Sequence, residues 1–264
     1  MRIRKLGLVA SLGCALAWAM GPAAAGASFT EGPIIAVNAN QSNNWSGYNQ
    51  GALEPGKGPF TQISADWSVP TATQHTANRA ESSSVWVGIG GGCLETSCTA
   101  TDNTLIQAGT EQDVSKSGTA SYSAWWEIIP GPSITITNMA VHAGDAMHVD
   151  IREVVPLSNV WTITVKNVTR NQTFTQTVPY SSTHGTAEWI VETPLLIGTS
   201  GTGFSAMPNL SGAGFSNATV NNAAAGLVVA EEMQLVDTSG NAIATPSAPS
   251  GGTAFSVCTY SSSC

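Results

Sequence analysis

The chain has 264 residues and a formal net charge of −8, and only 10% of its residues are Asp, Glu, Lys or Arg. An average soluble protein has about 25% charged residues, so neutral polar side chains must supply most of this surface. The acidic balance excludes the basic surface on which nucleic-acid binding depends. Few cations also mean few paired carboxylates whose protonation would unfold the protein in acid. The composition is therefore compatible with a protein that functions at low pH. It is equally compatible with an extracellular β-protein that has a neutral surface.

Residues 1–27 have the order of a secretory signal peptide. Arg2, Arg4 and Lys5 precede the uncharged apolar stretch 6–20, and a run of small residues follows it. That stretch is shorter than the ~20 residues of a membrane-spanning helix, which disfavours the alternative of a membrane anchor. Cleavage removes three cations and takes the formal charge from −8 to −11. We predict a secreted, extracellular chain with no membrane association after cleavage.

The rest of the chain is predicted to hold a leader or short pro-segment over 28–42 and a single all-β domain over 43–264. Runs of four to eight residues rich in Val, Ile, Thr, Trp and Tyr have the composition of strands. Clear examples are 133–137, 147–151 and 160–165, with turn residues between them. No stretch has a sustained helical period. Many short strands with close turns predict an antiparallel β-sandwich, without fixing its strand order.

Four cysteines follow the predicted signal peptide: Cys93, Cys98, Cys258 and Cys264. An even number of cysteines in an exported chain favours disulfides. Of the three possible pairings, the close spacings favour two local loops, Cys93–Cys98 and Cys258–Cys264. A metal site is the alternative, but no histidine motif accompanies these cysteines. We expect no metal and no cofactor.

Several catalytic motifs are missing from the sequence, which contains no Gly-x-Ser-x-Gly elbow, no His-Glu-x-x-His helix and no P-loop. A Ser-His-Asp triad would need one of four histidines, of which His142 and His148 have the pattern of half-exposed strand residues. The cysteines are assigned to disulfides. Carboxylates and amides therefore remain as the chemical groups.

Three predicted strands carry such groups among apolar neighbours: 104–111, 122–130 and 187–192. Side chains alternate between faces at a period of two, so Glu188, Ile190 and Glu192 share one face of the third strand. Gln107 shares a face with Leu105 in the first. A buried polar group without a partner is costly. Periodicity alone therefore favours a solvent-facing side for Gln107 and the glutamates.

Six short segments carry the motifs of one protein family in that family's order. They are Asn-Asn-Trp-Ser-Gly-Tyr (43–48), Trp-Ser-Val-Pro (67–70), Val-Trp-Val-Gly-Ile (85–89), Leu-Ile-Gln-Ala-Gly (105–109), Ala-Trp-Trp-Glu (124–127) and Ala-Glu-Trp-Ile-Val-Glu (187–192). Together they resemble the eqolisin family of glutamic endopeptidases. Each motif alone is weak, whereas six in order over 43–192 are specific. The resemblance implies a concanavalin A/lectin-like sandwich of two antiparallel sheets, with a cleft over one of them.

The resemblance also implies a catalytic pair. Glu192 would act as the general base on a water that attacks the peptide carbonyl, and the amide of Gln107 would stabilise the oxyanion. A Glu has an unperturbed pKa of about 4.3, and a general base works best near its own pKa. A glutamine does not titrate. We therefore expect a monomeric acid endopeptidase that acts on polypeptides, with an optimum at roughly pH 3 to 5.

Three further residues match family positions that line the cleft: Trp45, Trp86 and Glu127. Glu111 matches a position where fungal relatives carry Asp, and we expect all four to bind substrate. Core packing is the alternative role for the two tryptophans. Gly90 stands where fungal relatives often carry an acidic residue, and 128–129 replaces an aromatic pair, so the subsite preference stays open. The segment before residue 43 is also shorter than the long pro-segment of fungal members, which leaves latency open.

Two other functions fit parts of the pattern. The tryptophan count and the sandwich architecture are compatible with a non-catalytic carbohydrate-binding module. A glycoside hydrolase would instead use two carboxylates, such as Glu127 and Glu192. The dependence of any proteolysis on Gln107 and Glu192 separates these alternatives from a peptidase.

Overall fold

A computed structural model describes residues 28–198 and 201–264, so the predicted signal peptide lies outside the described residues. These residues form 22 strands and one short 3-10 turn, at Val229–Glu231. The strands are β1 (Ser28–Thr30), β2 (Ala36–Asn38), β3 (Gln41–Ser42), β4 (Trp45–Gly51), β5 (Gln62–Ser68), β6 (Ala72–Thr73), β7 (Glu81–Ile89), β8 (Ile106–Val114), β9 (Ala120–Ile128), β10 (Ile134–Thr135), β11 (Ala146–Glu153), β12 (Val160–Asn167), β13 (Gln172–Pro179), β14 (Thr186–Glu192), β15 (Leu195–Gly198), β16 (Gly201–Phe204), β17 (Asn209–Leu210), β18 (Ala213–Val220), β19 (Ala223–Ala224), β20 (Glu232–Val236), β21 (Ala242–Pro246) and β22 (Phe255–Thr259). The predicted all-β class is confirmed.

Two largely antiparallel sheets make up the body. Sheet I has the order β10-β9-β8-β7-β14-β4-β20. Sheet II runs β13-β12-β11-β5-β18-β22-β21-β20-β3-β2, with β19 beside β18. Strand β20 pairs in both sheets and joins them along one edge. Small additional sheets are formed by β1-β15-β16 and by β6-β17. No helix in the described ranges is long and apolar enough to cross a membrane.

The main hydrophobic core fills the space between the two sheets. It includes Trp189 and Val191 of sheet I and Ile163 and Val165 of sheet II, all fully buried. Strand β12 alternates between buried and more exposed residues, as expected for a strand with one face on the core and one toward solvent. Hydrophobic side chains thus hold sheet II onto one face of sheet I.

The three central strands of sheet I, β4, β7 and β14, are buried along their whole length. A second apolar cluster explains this, because it lies on the face of sheet I that points away from sheet II. Its members are Ile34, Trp45, Trp86, Cys93, Leu105, Trp125, Ile190 and Met233. Both faces of these strands are therefore covered, and the cover of the second face includes residues from outside sheet I.

The disulfides follow the spacing argument. Cys93 is bonded to Cys98, with Cα atoms 4.8 Å apart, and Cys258 to Cys264, with Cα atoms 5.2 Å apart. Residues 28–42, predicted as a leader or short pro-segment, contain β1, β2 and β3 and pack against the body of the protein. β1 pairs with β15, and β3 pairs with β20.

One glycine of the first motif is required by the pairing of β4 with β14. Gly47 lies opposite Ile190, and a Cβ atom added to it would stand 2.0 Å from the carbonyl oxygen of Trp189. Its φ of 149° is also one that other residues rarely adopt. The backbones of the two strands therefore approach too closely for any side chain at this position.

We expect Gly47→Ala to lower the free energy of unfolding by about 3 kcal/mol, because β4 and β14 must move apart. Gly203→Ala is the matched control, since Gly203 is exposed and a Cβ there meets no atom within 4 Å. Urea unfolding measures both variants. Equal midpoints for the two would contradict this role of Gly47.

Candidate active site

The candidate site lies on the face of sheet I that points away from sheet II. Gln107 on β8 and Glu127 on β9 are direct register partners. Glu192 on β14 pairs with Trp45 on β4 and with Ser84 on β7. The alternation predicted for β14 is confirmed, because Trp189 and Val191 join the main core while Ile190 joins the second cluster.

Gln107 is completely buried, so the solvent-facing position that periodicity alone favours is wrong. Its Nε2 donates a hydrogen bond of 2.9 Å to Oε2 of Glu127. Its Oε1 has no hydrogen-bond partner among the described residues. The contact with Glu127 fixes the plane of the amide. An amide nitrogen has two protons, and within the described chain only one of them is used.

Glu192 is also completely buried and is held by three donors. Its Oε2 accepts a 2.9 Å hydrogen bond from Nε1 of Trp86. Its Oε1 accepts from Nδ2 of Asn44 and from the backbone N–H of Gly32, both at 3.3 Å. Burial, and then the charge of Glu127, raise the pKa of Glu192 well above its usual range, against the effect of these donors. The carboxyl is thus positioned firmly and is easy to protonate.

The two tryptophans expected to line the cleft pack in the second apolar cluster and also donate hydrogen bonds. The ring centroids of Trp45 and Trp86 lie 5.0 Å apart in an edge-to-face arrangement, and neither ring is exposed. The Trp86 indole donates to Glu192, while Nε1 of Trp45 donates to the carbonyl oxygen of Gly32 at 3.1 Å. The core-packing alternative therefore describes only part of what these residues do.

Glu127 and Glu111 complete the predicted set on this face. Burial raises the pKa of Glu127 to about 8, and the hydrogen bond from Gln107 offsets only part of that rise. Burial and the charge of Asp113 raise the pKa of Glu111 to about 7. Glu111 lies four residues along β8 from Gln107, and its Oε2 accepts a long hydrogen bond of 3.4 Å from Ser123. It belongs to the margin of the site.

Two residues near Glu192 were missed by sequence reasoning. Asn44 stands inside the first motif, but its position there did not show that its amide would reach Glu192. Glu31 belongs to the predicted leader, and no sequence signal marks it. Its side chain is buried on this face, and burial followed by the charges of Glu192, Glu127 and Glu111 raises its pKa.

The site is therefore a group of carboxyls without a cation. The ion pairs formed by the described residues involve none of Glu31, Glu111, Glu127, Glu188 and Glu192. Glu188 extends the group along β14, and both of its oxygens lack hydrogen-bond partners in the part of the chain that the structure describes. Burial raises its pKa well above its usual range. The described ranges contain no group of three or more His, Cys, Asp or Glu side chains placed to hold a metal ion.

Comparison with known proteins decides the family. The model of the peptidase A4 family matches residues 43–260. The chain belongs to this family. The eqolisin resemblance read from six motifs is confirmed, and membership assigns the chain to the peptidases.

Solved structures of eqolisins share the fold. Scytalido-glutamic peptidase, solved with a transition-state analog inhibitor, superposes with a TM-score of 0.61 at 19% identity, over 82% of this chain and 98% of that one. SCP-B, in complex with the tripeptide Ala-Ile-His, gives 0.59 at 18% identity over the same shares. Aspergilloglutamic peptidase from Aspergillus niger gives 0.54 at 24% identity, over 68% of this chain and 99% of that one. No match was found among curated protein sequences.

The buried carboxyls predict that the protein loses stability as the pH rises. The folded state keeps protons that the unfolded chain releases above a glutamate pKa of about 4.3. The free energy of unfolding therefore falls with pH above that value. The free energy of unfolding keeps falling until the pH passes the pKa values of the folded state, which are about 7 for Glu111 and about 8 for Glu127.

Melting temperatures between about pH 4 and pH 8 test this expectation. Glu188→Gln removes one buried ionisable group that no described donor satisfies, so it should flatten the fall in melting temperature. A melting temperature that climbs steadily over this range would show that the carboxyls are not held protonated.

Proposed function

We propose that this chain is an exported acid endopeptidase that hydrolyses peptide bonds of proteins, with Glu192 as general base and Gln107 as oxyanion donor. One observation carries the proposal. In a chain of the peptidase A4 family, the buried carboxyl of Glu192 and the buried amide of Gln107 lie on the same face of one sheet. Trp86 and Asn44 donate to that carboxyl, and the amide donates to Glu127. No other nucleophile is needed for hydrolysis by water.

The reaction follows from these groups. Glu192 takes a proton from a water molecule, whose oxygen attacks the carbonyl carbon of the peptide bond. The carbonyl oxygen becomes an oxyanion, to which the free N–H of Gln107 donates. Glu192 then returns the proton to the departing amine nitrogen as the carbon–nitrogen bond breaks. A water molecule is consumed, and Glu192 ends in its starting state.

Glu127 supports this chemistry through its charge state. With its pKa raised to about 8 by burial, it is neutral in acid. A neutral carboxyl beside Gln107 does not oppose the negative charge that develops on the substrate oxygen. We assign Glu127 the role of holding the Gln107 amide in place, and Trp86 and Asn44 the role of holding Glu192.

Export is supported by two lines. Both disulfides are formed, which is typical of oxidising compartments. The signal-peptide pattern of residues 1–27 remains a prediction from sequence. Polypeptide substrates follow from the peptidase family.

The two alternative functions have less support. A carbohydrate-binding module displays aromatic rings, whereas Trp45 and Trp86 are covered and bonded to groups of the site. A two-carboxylate glycoside hydrolase would use Glu127 as an acid or nucleophile, whereas Glu127 is bonded to the amide of Gln107.

Replacing either catalytic residue should abolish most proteolysis. We expect Glu192→Gln to lower kcat by a factor of about 10² to 10⁴, because the base is lost. Gln107→Ala should lower it by about 10² to 10³, because the oxyanion donor is lost. Glu188→Gln is the matched control, a buried carboxyl on the same face of β14, and should retain activity. Cleavage of a denatured protein is the assay, and folded variants at positions 107 and 192 that cleave as the parent does would refute the assignment.

Activity should peak at roughly pH 3 to 5, where a hydrated glutamate near its usual pKa of about 4.3 is partly ionised. Burial holds the pKa of Glu192 higher in the structure described here, so hydration of the cleft must accompany activity. Steady-state rates on the same protein substrate from about pH 2 to 8 give the profile. A maximum near neutrality would be inconsistent with Glu192 acting as a base of ordinary pKa.

A further inference from the structure

The hairpin between β11 and β12 carries an exposed apolar tip. Residues 154–160 read Val-Val-Pro-Leu-Ser-Asn-Val and contain no charge. Val154 is 58% exposed, Val155 61% and Leu157 60%, so three large apolar side chains lie in solvent within four consecutive residues. Single exposed apolar residues are ordinary on a protein surface, whereas a group of them marks a contact site. Residues 154–157 are called the apolar tip below.

A buried carboxylate holds the apolar tip in one shape. The side chain of Glu153 accepts hydrogen bonds from the backbone N–H of Leu157 and, at 2.7 Å, from that of Asn159. Across the hairpin, the N–H of Val154 donates to the carbonyl of Val160 at 2.8 Å. A partner that contacts the tip therefore meets a surface whose backbone was already ordered during folding.

The backbone at Leu157 shows that this side chain is kept at a cost to stability. Leu157 has a φ of 62°, in the left-handed region that glycine and asparagine adopt more easily. Asn159, two residues further on, has a φ of 58° and is one of those favoured residues. The leucine is thus neither buried nor suited to its backbone. A contact that its side chain makes with a partner accounts for both facts.

The apolar tip lies at the end of the sandwich where Gln107 is found. Tyr180 connects the two places, because its N–H donates to the carbonyl of Asn159 at 2.8 Å and its hydroxyl accepts from the N–H of Leu105 at 2.6 Å. Leu105 belongs to the second apolar cluster and stands two residues before Gln107, on the same face of sheet I. One tyrosine therefore spans the distance from the hairpin to the start of β8.

We propose that the apolar tip is a docking site for apolar segments of unfolded polypeptide substrates, outside the cleft in which they are cut. This inference rests on the proposed peptidase function. A denatured protein exposes apolar side chains that its native state buries. A chain bound at Gln107 reaches the tip within about ten residues, since each extended residue spans ~3.4 Å. Burial of its side chains against the tip adds binding energy away from the scissile bond.

The charge of the hairpin favours an unfolded chain over other partners. Segments that lie on membranes combine apolar residues with lysine or arginine, which meets anionic headgroups. Residues 153–160 contain neither, and Arg152 beside them is paired with Asp150. Two copies of this chain, each with a net negative charge, repel one another.

A triple variant of the tip, Val154→Ser, Val155→Ser and Leu157→Asn, tests the proposal. Serine removes exposed apolar surface and asparagine suits the left-handed backbone, so the melting temperature should not fall. With reduced, carboxymethylated lactalbumin as substrate, we expect KM to rise about tenfold at unchanged kcat, because burial of apolar surface outside the cleft is lost. A peptide of about six residues that is apolar only at the scissile bond should be cleaved equally by parent and variant.

Val168→Ser is the matched control. Val168 is 59% exposed, and it lies just beyond the opposite end of β12. The substitution removes the same kind of exposed side chain far from the tip, so it should leave KM for the unfolded protein unchanged.

A second measurement does not depend on hydrolysis. Fluorescein-labelled, carboxymethylated lactalbumin is titrated with Glu192→Gln, and fluorescence anisotropy gives the dissociation constant. That constant should rise about tenfold when the triple variant of the tip is added to Glu192→Gln. Such a rise, together with no hydrolysis by the parent at any pH, would support the docking site and overturn the proposed function.

The opposite result separates the two in the other direction. Equal KM values on the unfolded protein and equal dissociation constants, with or without the triple variant, would overturn the docking site and leave the peptidase intact. With KM unchanged, loss of binding to phosphatidylglycerol vesicles in the triple variant would overturn it in favour of a lipid partner. Loss of a dimer in sedimentation, again with KM unchanged, would overturn it in favour of a second copy.

Discussion

The structure depends on the removal of carboxyl groups from water without a cation to pair with them. Glu192, Glu188 and Glu31 are buried on one face of sheet I, where an ionised carboxylate is costly and a protonated one is not. Neutral donors position Glu192 instead: the Trp86 indole, the Asn44 amide and the backbone N–H of Gly32. A lysine in the cleft would have stabilised the carboxylate over its protonated form. None of the ion pairs formed by the described residues includes these three carboxyls, so they stay able to exchange protons.

Much of the fold could be predicted from the sequence. The strand runs at 147–151 and 160–165 lie inside β11 and β12, and the cysteine spacings gave the correct pairs. These features are local, because strand composition and short disulfide loops depend on residues close together in the chain. The shared strand β20 and the order of the two sheets depend on contacts between distant segments, which no local pattern encodes.

The burial of Gln107 could not be predicted for the same reason. A period of two assigns side chains to faces, and it assigned Glu188 and Glu192 to the same face correctly. It does not reveal whether a second layer covers that face. Here the cover comes from the β7–β8 loop that carries Cys93 and from residues 28–35, which are distant from β8 in sequence. The family motifs assigned Gln107 and Glu127 to one cleft, and in the structure the two side chains are hydrogen-bonded at 2.9 Å.

The pairing of β20 with both sheets has a mechanical consequence. Because β20 joins the two sheets along one edge, neither sheet slides easily over the other. Sheet I is therefore held rigidly. Sheet I carries Gln107, Glu127 and Glu192, and its central strands are covered on both faces. The entropy of ordering those groups is lost once, during folding, rather than again with each substrate. A substrate therefore meets groups that are already in place.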